Sequence, residues 1–361
     1  MRDQRIDEYA QLLVERSVGV QPGWQVFVRA TPLARPLLDA VQEQIARRGA
    51  YPLVHLAWDN LGGPFVREAP LDVLATPPPL LLRAWLECDA FISISAPENV
   101  RDGSDLPDER RRVLQRRMEP LRRRQMAMEV PWVVCEYPTN AAAQEAGMTL
   151  KDYEDFVFGA VLLDWNAEAR RMREIADLFD AAEEVRIVGD RTDLTLSLAG
   201  RRGAVDDGHI NLPGGEIFYS PLEDSAEGVV TYSEFPALYF GHEVSGVRLV
   251  FEGGRIVDAS AAFGEEFLLH TLDTDDGARR LGELGIGCNP GISRYSKNVG
   301  FDEKIDGTCH LAIGNSYSST GGTNVSAVHW DMVKDLRNGG RVYLDGRLVQ
   351  EDGRWVALAP A

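Results

Sequence analysis

Cysteine is scarce in this sequence: Cys88, Cys135, Cys288 and Cys309 are the only four in 361 residues, and none stands in a CxxC step. That spacing argues against a zinc ribbon and a disulfide-stapled scaffold, and it fits a reduced, cytoplasmic compartment. Lysine is confined to positions 151, 297, 304 and 334, with arginine supplying the rest of the positive charge; the bias reads as a coding preference without functional content. Long apolar runs are missing as well. No stretch of about 18 apolar residues occurs, and the opening MRDQRIDEYAQLL carries charge where a signal peptide needs its apolar core, so neither a membrane span nor export is expected. Positive charge is in deficit: 38 Lys+Arg against 56 Asp+Glu leave a net charge of -18, which disfavours nucleic acid and anionic membrane surfaces as partners.

Several catalytic signatures are also absent. There is no GxGxxG, so topology alone assigns no dinucleotide, and no cofactor of that kind is expected. His242-Glu243 begins like HExxH, but Gly246 stands where the second histidine must be to share a helical face. Gly314-Asn315-Ser316-Tyr317-Ser318 begins like a nucleophile elbow and lacks its closing glycine. A zincin and a serine hydrolase are set aside.

What remains is ordinary globular material, 44% hydrophobic and 26% charged, of a length that favours two domains. Helical spacing from Asp7 to Val18 and from Leu33 to Arg48 alternates with strand-like runs at Trp24–Ala30, Tyr51–Leu56, Asp89–Ser95 and Trp132–Tyr137. This is the pattern of parallel strands with crossover helices. Two helices are expected between Leu150 and Glu184, after which short strands separated by Gly and Asp turns take over. The fold class expected is α/β: a Rossmann-like α/β domain over residues 1–185, then a sheet-rich α+β domain over 186–361 that carries the metal-binding residues. The arginine-dense run from Asp108 to Arg124 is interrupted by acids and Pro120 and reads as a solvated helix or a subunit contact. His55, His209 and His270 read as isolated structural histidines.

In the second half, ligand-type residues fall in unusual settings. Leu212-Pro213-Gly214-Gly215 delivers Glu216 to the mouth of an alternating segment, where a core-facing carboxylate is costly unless paired or metal-bound. Glu283 follows a helical stretch from Asp275 to Leu281, and alone it would be an exposed acid at a helix C-terminus. His310 lies in the apolar strand-like run Thr308–Gly314, with Leu311 and Ile313 on the opposite face. His329 and Asp331 are two apart, so on a strand they project from one face while Val328, Trp330 and Met332 cover the other. Together these five form a mixed nitrogen and oxygen set suited to zinc, cobalt or manganese.

The segments LPGGEIFYSP, RRLGELGIG, FDEKIDGTCHLAIGNSY and GGTNVSAVHWDM resemble the aminopeptidase T and aminopeptidase S family of metallopeptidases, from about Asn211 to Leu336. The resemblance implies metal ligands at Glu216, Glu283, His310, His329 and Asp331, and a catalytic tyrosine at Tyr317. The family's Phe/Tyr-Asp-Glu step falls on Phe301-Asp302-Glu303. The step from Glu303 to His310 is longer, and that from His310 to His329 shorter, than in the best-known members. Two divalent ions per chain are implied, zinc or cobalt foremost and manganese or magnesium as alternatives, with Glu283 or Glu303 as general base. Also implied are homodimers and short peptide substrates with a free N-terminus. A different enzyme class, an iron-dependent ring-cleaving dioxygenase, would need only His310, His329 and Asp331; Glu216 and Glu283 favour the peptidase. A closed, purely structural metal site is a third reading, and Tyr317 argues against it.

Overall fold

Strands β1 (Gln25–Ala30), β2 (Tyr51–Leu56), β3 (Ala90–Ser95) and β4 (Trp132–Glu136) pair in parallel in the order β2-β1-β3-β4. The computed structural model describes residues 3–57 and 63–358 of the chain. β1 and β3 are almost wholly buried, as near-continuous apolar strands flanked by helices must be. Helices Gln4–Gln11, Arg35–Arg47, Pro79–Glu87, Asp108–Arg117 and Glu119–Met126 lie between and around these strands in the chain, which makes this part Rossmann-like α/β. The first helix continues as a π-helical turn over Leu12–Ser17. A short strand, Asn211–Leu212, adds to β4 in parallel, with Val134 opposite Asn211. Accordingly the chain divides into one unit of Met1–Leu162 with Gly208–Gly214, and a second of Leu163–Asp207 with Gly215–Ala361.

The second unit is antiparallel. An eight-stranded sheet draws on segments between Glu184 and Trp355. A five-stranded sheet contains β5 (Glu216–Tyr219), β6 (Leu281–Gly287), β7 (Thr308–Gly314) and β8 (His329–Asp335), in the order β8-β7-β6-β5 with Ala204–Asp206 at the β5 edge. Every residue of β6 and β7 is buried, so both faces of this sheet are covered. One face is apolar: Ile217, Leu284, Ile286, Leu311, Ile313, Trp330 and Met332 join the large core of the unit.

One expectation is corrected. The stretch before Glu283 is not a helix running to Leu281; it is a single 3-10 turn, Asp276–Arg279, capped by the Asp275 carboxylate accepting from the Ala278 amide at 2.9 Å. The chain is already in β6 at Leu281 because strands on both sides, β5 and β7, pair with that segment. Glu283 is therefore a buried strand residue rather than an exposed acid at a helix end.

Candidate metal centre

The second face of the five-stranded sheet collects the polar residues, and register explains how. Glu216 lies opposite Gly287, His310 opposite Gly285, Asp331 opposite Ala312, and His329 opposite Gly314. Directly opposed residues share a face, so the cluster is set on a floor of glycine and alanine. Glu283 reaches that face through a bulge. Leu281 opposes Ile313 on the apolar side, yet Glu283 opposes Ala312 on the polar side, which makes Gly282 an extra residue in β6. Without that insertion the period of two would keep both on the same face.

Gly285 has a packing reason of its own. A Cβ built there would lie 1.9 Å from Nε2 of His310, so only glycine leaves room for the imidazole over β6.

All the side chains expected from the sequence come together. Glu283 Oε1 lies 3.2 Å from His310 Nε2, and its Oε2 lies 3.4 Å from His329 Nε2. Glu216 Oε2 is 3.5 Å from His310 Nε2, and Asp331 Oδ2 is 3.6 Å from His329 Nε2. Two compact donor triads result, Glu216–Glu283–His310 and Glu283–His329–Asp331, with Glu283 in both. Glu303 forms a further group with His310 and Asp331. The Tyr317 hydroxyl stands 3.5 Å from His329 Nε2, its ring packed against Phe218 with centroids 5.3 Å apart. His310 is the deepest member and His329 the most accessible, its side chain 28% exposed, so the cluster opens at the His329 and Tyr317 end.

Backbone carbonyls fix both imidazoles. His310 Nδ1 is 3.0 Å from the Glu303 carbonyl oxygen, and His329 Nδ1 is 2.8 Å from that of Asn315. A carbonyl only accepts, so each Nδ1 carries a proton and each Nε2 is left facing carboxylate oxygens, across a second proton in the metal-free protein or across a cation when one is bound. Acceptors facing acceptors repel unless a proton or a cation lies between them. This donor set, with tautomers set by a second layer of hydrogen bonds, fits divalent metal ions.

The electrostatics carry the same signature. Burial alone would lower His310, but the hydrogen bond to Glu283 and the surrounding carboxylates carry it up to about 10. Burial pushes Glu303 up to about 8 despite Lys304, and burial with the neighbouring carboxylates raises Glu283. Glu216 moves the other way: burial opposes its charge, and Lys304 and His310 outweigh burial. Tyr317 is raised by burial and by the carboxylates around it.

Lys304 is the member that sequence reasoning missed. Fully buried, it donates from Nζ to Glu216 Oε1 at 3.0 Å and also to the Glu303 carboxylate. Burial would strip its proton, but Glu216, Glu303 and Asp206 hold it charged. The scarcity of lysine contained the signal: in a chain that otherwise uses arginine, Lys304 and Lys334 are both fully buried beside carboxylates. The reading of that bias as a coding preference therefore omits a buried ammonium that contacts two carboxylates of the cluster. Arginine's wide planar fork is a poor substitute for a compact ammonium in a buried niche.

Buried nitrogen and oxygen donors with an accessible mouth define a metal-dependent enzyme, and comparison with known proteins gives its class, a hydrolase of peptide bonds. The chain belongs to the thermophilic metalloprotease (M29) family, which it matches over residues 2–355. It is 29% identical to Aminopeptidase 2 of Geobacillus stearothermophilus, across 87% of this chain and 84% of that protein. It is 26% identical to Aminopeptidase AmpS of Bacillus subtilis strain 168, across 97% of this chain and 93% of that one. The solved structure of wild-type AmpT from Thermus thermophilus has the same fold, with a TM-score of 0.86 at 24% identity and coverage of 98% and 99% of the two chains.

Proposed function

We propose that this chain is a two-metal aminopeptidase that removes the N-terminal residue from short peptides. Glu216, Glu283 and His310 would hold one ion and Glu283, His329 and Asp331 the other, with zinc or cobalt best matched to the donors. The observation that carries this reading is the division of the Glu283 carboxylate between two imidazoles, one oxygen to each. With all four carboxylates ionised, Lys304 leaves the cluster three charges negative, a surplus that one divalent ion does not offset and two do. Two ions bound there would supply an acidified water, a Lewis acid for the scissile carbonyl and an anchor for the free α-amine.

The chain's own residues do the rest. Glu283 has both oxygens committed to the imidazole pair, so Glu303 is the carboxylate free of that bridge and is assigned the proton. Glu303 accepts a proton from the attacking water and delivers it to the leaving amine nitrogen, releasing one amino acid and a peptide one residue shorter. Lys304 holds Glu216 and Glu303 in place. Tyr317, at the open end, donates its hydroxyl hydrogen to the oxyanion that develops on the scissile carbonyl. A homodimer in the cytoplasm is the setting the family resemblance implies. The deciding experiment compares a dipeptide with its N-acetylated twin: only the free amine is expected to be cleaved, and equal cleavage of both would refute exopeptidase action.

A further inference from the structure

Tyr317 follows β7 in the connection to β8 and precedes the 3-10 turn Ser318–Thr320, so no ladder of strand hydrogen bonds fixes it. An oxyanion donor must nevertheless be held closely, since a misplacement of about 1 Å costs on the order of 100-fold in rate. The constraint comes from β5. Pro221 favours an extended residue before it, so the period of two runs one residue past the strand and puts Ser220 on the face of Glu216 and Phe218. Tyr219, between them, turns the other way and stacks on Phe179 in the apolar core, with ring centroids 5.7 Å apart.

Ser220 is fully buried, and its hydroxyl belongs to a ring of hydrogen bonds that begins and ends on Tyr317. The Tyr317 amide donates to Ser220 Oγ at 3.2 Å. Ser220 Oγ and Thr320 Oγ1 lie 2.8 Å apart, and Thr320 Oγ1 lies 3.1 Å from the Tyr317 carbonyl oxygen, against 3.3 Å for Ser220 Oγ. Each hydroxyl has one proton, so the arrangement that uses the shorter contacts sends the Ser220 proton to Thr320 and the Thr320 proton to Tyr317. Gly322 leaves room for this ring: a Cβ there would stand 2.6 Å from Ser220 Oγ. β5 thus holds Tyr317 at two points, the backbone through Ser220 and the aromatic ring through Phe218, and carries Glu216 on the same face. The tyrosine is thereby registered against the strand that supplies one of the cluster's carboxylates.

We propose that Ser220 is a positioning residue for Tyr317: its hydroxyl, linked through Thr320, fixes the tyrosine backbone so that the phenol meets the developing oxyanion. This rests on the role given to Tyr317 above. The experiment measures kcat, KM and metal content on one free-amine dipeptide for the zinc-loaded wild type, Ser220→Ala, Tyr317→Phe and the double variant. Ser220→Ala is expected to lower kcat about tenfold or more, with KM and metal content retained. In the Tyr317→Phe background it is expected to cause no further fall, because a residue that acts through the phenol hydroxyl has nothing left to position. A merely structural role would lower turnover by the same factor in both backgrounds. Thr320→Val opens the same ring and carries the same test, with the same expected pattern, if Ser220→Ala fails to fold. Unchanged kcat in Ser220→Ala, or an equal loss in both backgrounds, beside an impaired Tyr317→Phe would overturn the positioning role and leave the reading of Tyr317 standing. Undiminished turnover in Tyr317→Phe would overturn both.

Discussion

The carboxylate of Glu283 is divided between His310 and His329, Oε1 lying 3.2 Å from one Nε2 and Oε2 3.4 Å from the other. A single buried acid thus links two donor triads, and the bulge at Gly282 is what turns it onto their face.

Gly285→Ala places a methyl carbon where a Cβ lies 1.9 Å from His310 Nε2. The imidazole must leave its position, so the variant is expected to fold, by circular dichroism, while losing metal at the Glu216–Glu283–His310 triad. A full ion complement in Gly285→Ala would show that His310 is not a ligand.

Tyr317→Phe keeps the ring against Phe218 and deletes only the hydroxyl. An interaction made mainly in the transition state affects turnover and spares KM, so kcat is expected to fall about 100- to 1,000-fold with metal content retained. Undiminished turnover would remove Tyr317 from the mechanism.

Lys304→Met leaves Glu216 and Glu303 buried without their ammonium. Removing one partner of a buried ion pair typically costs about 3–5 kcal/mol. Urea unfolding of metal-stripped protein is expected to show a loss of that order; a loss below about 1 kcal/mol would mean that Lys304 only fills space.

Stability and metal affinity should respond to pH with opposite signs. His310 is held up to about 10 and Glu303 up to about 8, both above their ordinary values of 6.5 and 4.5, so the metal-stripped folded protein binds extra protons. That stabilisation is complete below the ordinary values and is lost as pH rises through the raised ones. The Tm of stripped protein should therefore fall between about pH 6 and pH 9. Metal must displace the same protons, so the Tm gain on adding zinc should grow over that interval. A gain that shrinks with pH would contradict the ligand assignment.

Much of this centre is legible in sequence because strands keep a period of two. His329 and Asp331 share a face for that reason, and so do His310 and Ala312. Glu283 is harder to place: LGELGIG is glycine-rich and has little intrinsic strand propensity, and it becomes a strand because β5 and β7 pair on either side of it. A bulge leaves no periodic trace, so the side of the sheet that Glu283 takes is a tertiary fact. Nor does local pattern announce that Asn211–Leu212 returns to the first unit's sheet, since two residues carry no period. Lys304 is invisible for another reason: a buried lysine is recognisable only by the carboxylates around it, which come from β5 and from its own chain neighbour.

The central claim is two ions sharing Glu283, and metal stoichiometry tests it most directly. Elemental analysis of protein reconstituted with zinc after chelation is predicted to give two ions per chain in the wild type, with activity lost on chelation and regained on reloading. Glu216→Gln, which removes an anionic ligand from one triad only, is predicted to give one. A single ion in the wild type, or two ions with normal turnover in Glu216→Gln, would contradict the account.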